Sequence, residues 1–289
     1  MTTKPPIAPP SAGPVRAAAR AAPPAPPAPQ RRAVLFAGID PSHAGHRVLL
    51  YGPGGIGKTT LAAHAPGPVA FVDLDDSLPR LRPQLGPLAT AIRTVPDVAA
   101  WADLREALQS DGWDAIRTIV IDTATRAEEL CAAHVLATVP HEKGHRVQRL
   151  EDYGYGKGTG HVFETFLPLL GVLDRHCRAG RNVILVAHDC TTSVPNPAGE
   201  DWLRYEPRLQ SPASGKASIR LRVREWADHV LFMGYDVNVK DGKGQGAGTR
   251  TLYPAELPHC MAKSRTCQMP IPVAGDPADL WKSLFNLSE

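Results

Sequence analysis

The chain has 289 residues, 43% of them hydrophobic, which is enough for a large packed domain. No run of about 18 apolar residues occurs, so no membrane-spanning helix is expected and a cytoplasmic globular protein is. The formal net charge is +3, but Lys4, Arg16, Arg20, Arg31 and Arg32 give residues 1–32 a charge of +5 and leave −2 on the remainder; overall basicity is thereby excluded as evidence for a nucleic-acid partner.

Residues 1–32 hold ten of the 29 prolines, in phrases such as APPAPPAP, with many alanines and no acidic residue. Such a segment buries no core, so a disordered or partly polyproline II tail is expected ahead of one folded domain at 33–289. Its prolines also interrupt any apolar core of a signal peptide. The five cysteines, Cys131, Cys177, Cys190, Cys260 and Cys267, are odd in number and lack a C-x-x-C pair, which fits reduced thiols. Neither His259 with Cys260 and Cys267 nor His188 with Cys190 has the spacing of a zinc module.

After Ala33, short β-branched runs alternate with helical stretches, the pattern of a parallel sheet with helices on its faces. The first strand is RVLLY, Arg47 to Tyr51. It leads into Gly52, Pro53, Gly54, Gly55, Ile56, Gly57, Lys58, Thr59 and Thr60, which satisfy G-x-x-x-x-G-K-[ST]. Glycines let the backbone turn its N–H groups onto phosphate oxygens. Lys58 supplies a point charge to the β- and γ-phosphates, and the Thr59 hydroxyl is placed to ligate Mg²⁺. The helix TTLAAHA follows and adds its N-terminal dipole.

Next come a strand VAFVDLDD (Val69 to Asp76), a further strand AIRTV (Ala91 to Val95) and a helix from Asp97 to Gln109, whose Val98, Trp101, Leu104 and Leu108 recur at helical steps. Period-two alternation puts Asp73 and Asp75 on one face, at the sheet edge that carries the phosphate loop. One of them is a candidate to polarise the attacking water, and a helix N-cap at Asp76 or Ser77 is the competing account. The run TIVIDTAT (Thr118 to Thr125) ends in Asp122, a buried carboxylate that a Mg²⁺ ion would justify; capping of the helix ATRAEELCAAHVLA is its other possible role.

Between Pro140 and His161, Lys143, Arg146, Arg149 and Lys157 are interleaved with Tyr153, Tyr155 and five glycines. A mobile loop of this kind grips a phosphate backbone and stacks bases; a plain surface loop is the alternative. A helix from Val162 to Arg178 then leads to the strand NVILVAHD (Asn182 to Asp189), with His188 and Asp189 at its carboxyl end. Residues 190–218 show no clear periodicity and read as a long loop, and Trp202, Arg204, Tyr205, Arg208 and Lys216 make it a second candidate for nucleic acid. Arg220, Arg222 and Arg224 alternate ahead of an apolar strand at His229 to Tyr235. DGKGQGAG (Asp241 to Gly248) is turn chemistry between VNV and RTLY and predicts a closing hairpin, with a short terminal helix around Ala278 to Asn286.

The order of these parts resembles the RecA-like ATPase core. More narrowly, it is similar to the compact phage-type RecA-like single-strand annealing proteins, with their YGxxGxGKTT, a YGYGKG-like loop and a final KNR-like motif; the likeness covers about residues 46–273. The resemblance implies an α/β RecA-like P-loop fold, a mainly parallel central sheet flanked by helices and finished by a C-terminal antiparallel hairpin. It implies ATP and Mg²⁺ as cofactors, with Thr59 and Asp122 on the metal, Asp75 where a catalytic glutamate usually stands and His188 as the γ-phosphate sensor. Lys263 and Arg265 match the K-x-R element that reaches a neighbouring subunit's ATP, with KSR in place of KNR. Implied partners are single-stranded DNA, further copies of the chain in a ring or filament, and a single-strand-binding protein. The function so implied is DNA recombination by strand annealing or pairing. The competing reading is a RecA-like ATPase that acts on a protein as helicase loader, motor or regulatory switch.

Overall fold

The computed structural model describes residues 44–286 apart from Pro197, Asp241 and Gly242, together with Thr2, Phe36 and Gly38. The chain divides into Met1–Ile39 and Asp40–Glu289, and every element named below lies in the second unit. The proline-rich tail expected at 1–32 lies, Thr2 aside, outside the described residues.

The elements run β1 (Arg47–Tyr51), α1 (Lys58–Ala63), β2 (Val69–Asp73), α2 (Leu78–Leu85), β3 (Arg93–Thr94), α3 (Trp101–Gln109), β4 (Thr118–Asp122), α4 (Ala124–Thr138), α5 (Lys157–Arg178), β5 (Asn182–Ala187), β6 (Asp189–Val194), β7 (Trp202–Pro207), α6 (Ile219–Trp226), β8 (His229–Lys240), β9 (Lys243–Tyr253), β10 (Ile271–Pro272) and α7 (Pro277–Phe285). Eight strands form one sheet in the order β10-β9-β8-β1-β5-β4-β2-β3, parallel from β8 to β3 and antiparallel at β8–β9–β10. This is the expected α/β architecture, a mainly parallel sheet with a C-terminal antiparallel pair.

The central strands read as unbroken apolar runs because both faces are covered. Leu49 and Tyr51 of β1, Ile119 and Ile121 of β4, and Val183 and Leu185 of β5 enter a core with α3, α4, α5 and α6. The intervening Val48, Leu50, Val120, Ile184 and Val186 enter the opposite core with α1, α2 and α7, around the fully buried Trp281. The longest helix, α5, presents Val162, Phe166, Leu169, Leu170, Leu173 and Cys177 to the first core at three- and four-residue steps. Trp101 is 1% exposed and belongs to that core.

Several expected elements are corrected. The β2 strand stops at Asp73, so Asp73 and Asp75 are not related by strand alternation: the chain turns at Leu74 and Asp75 leaves in a different direction. The strand expected at 91–95 is only two residues long. Residues 190–218 are not one irregular loop, because β6 and β7 pair as an antiparallel hairpin from Asp189↔Pro207 to Val194↔Trp202. The stretch in which Arg220, Arg222 and Arg224 alternate is the helix α6, capped by the Ser218 hydroxyl, which accepts from Leu221 N–H, and it buries Ile219 and Val223. The glycine-rich run from Lys243 to Gly248, expected as turn, is already strand.

Candidate nucleotide site

The site assembles where β1, β2, β4 and β5 end, because parallel strands deliver their carboxyl-terminal residues to one edge. The loop after Tyr51 is pressed against β8, and a Cβ on Gly52 would lie 2.2 Å from the Met233 carbonyl oxygen. Gly57 adopts φ +105° as it opens α1. Ile56 sends its side chain into the core, so of the predicted phosphate-binding run it offers only backbone, whereas Gly54 and Gly55 are exposed. Lys58 Nζ donates to the carbonyls of Gly52 and Pro53, at 2.7 and 2.8 Å, and so lies folded over the loop. Burial holds its ammonium below the usual lysine range, against the opposing pull of Asp122, Asp189 and Asp75.

Thr59 and Thr60 lie in the first turn of α1, and Thr59 Oγ1 donates to Asp122 Oδ2 at 2.6 Å. Asp122 is 2% exposed. Burial pushes its carboxyl up to about 6, with Asp73 and Asp75 adding to the rise and the Thr59 hydroxyl and Lys58 opposing it. The N-cap of α4 is not Asp122 but Thr123, whose Oγ1 accepts from Arg126 N–H at 3.1 Å. Asp73 has a capping role: its carboxylate accepts from Ser77 N–H, Ser77 Oγ and Leu78 N–H at the start of α2.

Asp75 Oδ2 accepts the Thr123 hydroxyl at 3.1 Å and lies 3.8 Å from His188 Nε2. Burial, and after it Lys58 and Arg208, hold the His188 imidazole below the usual histidine range, so the ring is neutral at neutral pH. The structure thus brings Lys58, Thr59, Asp75, Asp122 and His188 to one edge. Ser77, Thr123 and Arg250 complete the surroundings and were missed as site residues in the sequence. Thr123 had the signal of following Asp122 directly, while Arg250, which donates to the Ile56 carbonyl at 2.7 Å, stands in no motif.

Lys263 and Arg265 stand elsewhere. Lys263 is bridged to Val230 and its Nζ donates to the carbonyls of Arg224 and Glu225; Arg265 Nε donates to Asp228, which also accepts from Arg47 N–H. Arg265 therefore sits at the beginning of β1, five strand residues, roughly 16 Å, from the loop at its end, and does not reach its own phosphate loop.

The nucleic-acid candidates divide. Lys143, Arg146, Arg149, Arg208 and Lys216 are exposed, as are Tyr155 and Trp202. One expectation is corrected, and two basic candidates already have acidic partners. Tyr153 is 4% exposed and its hydroxyl donates to the carbonyls of Val135 and Val139, so its ring belongs to the core and stacks no base. Lys157 starts α5 and pairs with Glu142 at 2.6 Å. Arg204 is committed to Glu206 and Glu256. The bases of the two loops meet: Gln210 donates to the Thr159 carbonyl, and its own N–H is accepted by both oxygens of Glu128 on α4. Burial raises the Glu128 carboxyl to about 7.

A profile of the AAA domain family, AAA_24, matches residues 44–266. No curated protein matches the chain. Among solved structures, a KaiC-like protein from Pyrococcus horikoshii is 19% identical, with 81% of this chain and 88% of that one covered and a TM-score of 0.44. The flagellar accessory protein FlaH from Methanocaldococcus jannaschii is 12% identical, with 73% and 77% covered and a TM-score of 0.37.

Proposed function

The chain belongs to the AAA domain family AAA_24, and from that premise we propose that it hydrolyses ATP with Mg²⁺, binds single-stranded DNA and promotes strand annealing or pairing as an oligomer. The observation that carries the reading is the continuity of the site with the β6–β7 hairpin: His188 stands beside Asp75, and the next residue opens β6. The hairpin returns with Trp202, Leu203 and Tyr205 exposed at 43%, 71% and 41%. The exposed Trp202 suits an unstacked base, and the exposed Arg208 at the base of the hairpin suits a phosphate backbone.

The residues fit a magnesium nucleotide. A buried carboxylate whose hydrogen bonds come from two hydroxyls, Thr59 at 2.6 Å and Ser77 at 3.5 Å, suits a hard divalent cation. Thr59 and Asp122 would hold Mg²⁺, which when bound neutralises charge on the phosphoryl oxygens. Lys58 exchanges the two loop carbonyls for phosphate oxygens. The Asp75 carboxylate accepts the proton of the attacking water, with the Thr123 hydroxyl holding its Oδ2 and the neutral His188 beside it. Lys263 and Arg265, remote from their own loop, complete the site of the next subunit.

Phosphate release stimulated by a single-stranded oligonucleotide tests this reading. Stimulation in the parent, its loss in Arg265→Ala and in Lys58→Ala, and partial recovery on mixing the two variants are expected. Release indifferent to oligonucleotide at every salt concentration overturns the DNA role and favours a protein partner.

A further inference from the structure

The phosphate loop has an outer wall that belongs to no nucleotide-binding motif. Arg250 on β9 extends past β8 and donates Nη1–H to the carbonyl of Ile56 at 2.7 Å. The same nitrogen lies 2.6 Å from the point where a Cβ on Gly57 would sit, and Met233 Cε lies 3.9 Å from that point. The arginine thus fills the volume that Gly57 leaves open, just before Lys58 and Thr59.

Its own backbone is anchored on both sides. Arg250 pairs with Tyr235 of β8, and its carbonyl accepts from Val273 N–H at 2.8 Å, just after β10. Thr249 beside it donates to Asp236 at 2.6 Å. The guanidinium is therefore held by a three-stranded support and not by a loose loop.

The consequence follows from peptide geometry. In a trans peptide the C=O and the next N–H point in opposite directions. A donor that fixes the Ile56 oxygen toward β9 therefore turns the Gly57 N–H away from β9. Phosphate loops bind through backbone N–H groups, so the orientation of this peptide plane decides whether one donor is available. A cation beside the loop also favours the arrival of a polyanion.

We propose that Arg250 is a positioning residue of the nucleotide site: it sets the Ile56–Gly57 peptide for phosphate contact and joins the C-terminal hairpin to nucleotide binding. The inference rests on the triphosphate reading of the site. Arg250 makes no claim on the reacting atoms, so its effect falls on affinity and not on the chemical step.

The test is calorimetric titration of the full chain with MgATP, with phosphate-release kinetics alongside, for the parent, Arg250→Met and Arg250→Lys. Methionine keeps an unbranched stem and removes both donor and charge; lysine keeps both. Arg250→Met is expected to weaken MgATP binding about tenfold or more, as loss of a charge-assisted hydrogen bond does, with kcat within about twofold of the parent's and an unchanged urea midpoint. Arg250→Lys is expected to recover most of the affinity. Binding by Arg250→Met within about twofold of the parent overturns the proposal, and so does equal loss in both variants. A variant that loses affinity and kcat together with its urea midpoint marks a structural role and also overturns it. A parent that itself fails to bind MgATP overturns the triphosphate reading, and this inference with it.

Discussion

Asp122 shows at a single residue how a site conflicts with its own fold. Its carboxylate is buried between Thr59, Ser77 and two other acidic residues, and burial raises its proton affinity. Asp122→Asn removes that buried charge and keeps a hydrogen-bonding group of the same shape. The nucleotide-free variant is expected to unfold at or above the parent's urea midpoint, while phosphate release falls about 100-fold, the scale on which lost transition-state electrostatics is felt. Denaturation and a release assay on the same preparation check both halves. Asp122 was readable in the sequence, because an apolar strand that ends in a carboxylate raises the question of what pairs with it. Asp75 was found through the wrong geometry: its nearness to His188 comes from the turn after Asp73, and no period-two argument describes that turn.

At the scale of elements, the parallel sheet was legible because strands buried on both faces write continuous Val, Leu and Ile runs. The β6–β7 hairpin was not, since its faces carry ion pairs and exposed aromatics instead of one apolar stripe. Likewise α6 hid behind three arginines at two-residue steps; its helical signal is the Ser218 cap with Ile219 and Val223 four apart. These two elements are held together by Glu206, which is 5% exposed and bridges Arg204 at 2.5 Å and Arg220. Burial works to raise its carboxyl, but the two arginines hold it below the usual range. Glu206→Ala leaves the largely buried Arg220 without its carboxylate and Arg204 with Glu256 alone, and is expected to cost about 3 kcal/mol in urea unfolding, with Glu206→Gln losing less.

At the scale of the whole molecule, the two ends of the sheet have different work. The far end is tied by His46 Nδ1 and His229 Nε2 at 3.1 Å, His229 Nδ1 and Ser264 Oγ at 2.9 Å, and the ring of Phe285 stacked on His46. Burial first, and then His46, lower the His229 pKa from its ordinary 6.5 to about 4. An unfolded chain takes up this proton below 6.5 and the folded one does not. The histidine's contribution is thus complete above pH 6.5 and is lost as pH falls toward 4, on the order of 3 kcal/mol in all. Urea midpoints at pH 7.5 and pH 5 are expected to differ in that sense, and a His229→Gln variant is expected to show a smaller difference. The same end carries Lys263 and Arg265, and the opposite end carries the phosphate loop, so subunits stacked end to end would set one against the other.

On the proposed reading, nucleotide occupancy of the Lys58–Asp122 site governs the binding of single-stranded DNA by the β6–β7 hairpin. Fluorescence anisotropy of a labelled single-stranded oligonucleotide, titrated with the full chain at fixed salt with and without MgATP, measures it most directly. Tighter binding with MgATP in the parent, and no such gain in Lys58→Ala, is the predicted result. Equal affinity in all four measurements would contradict the claim.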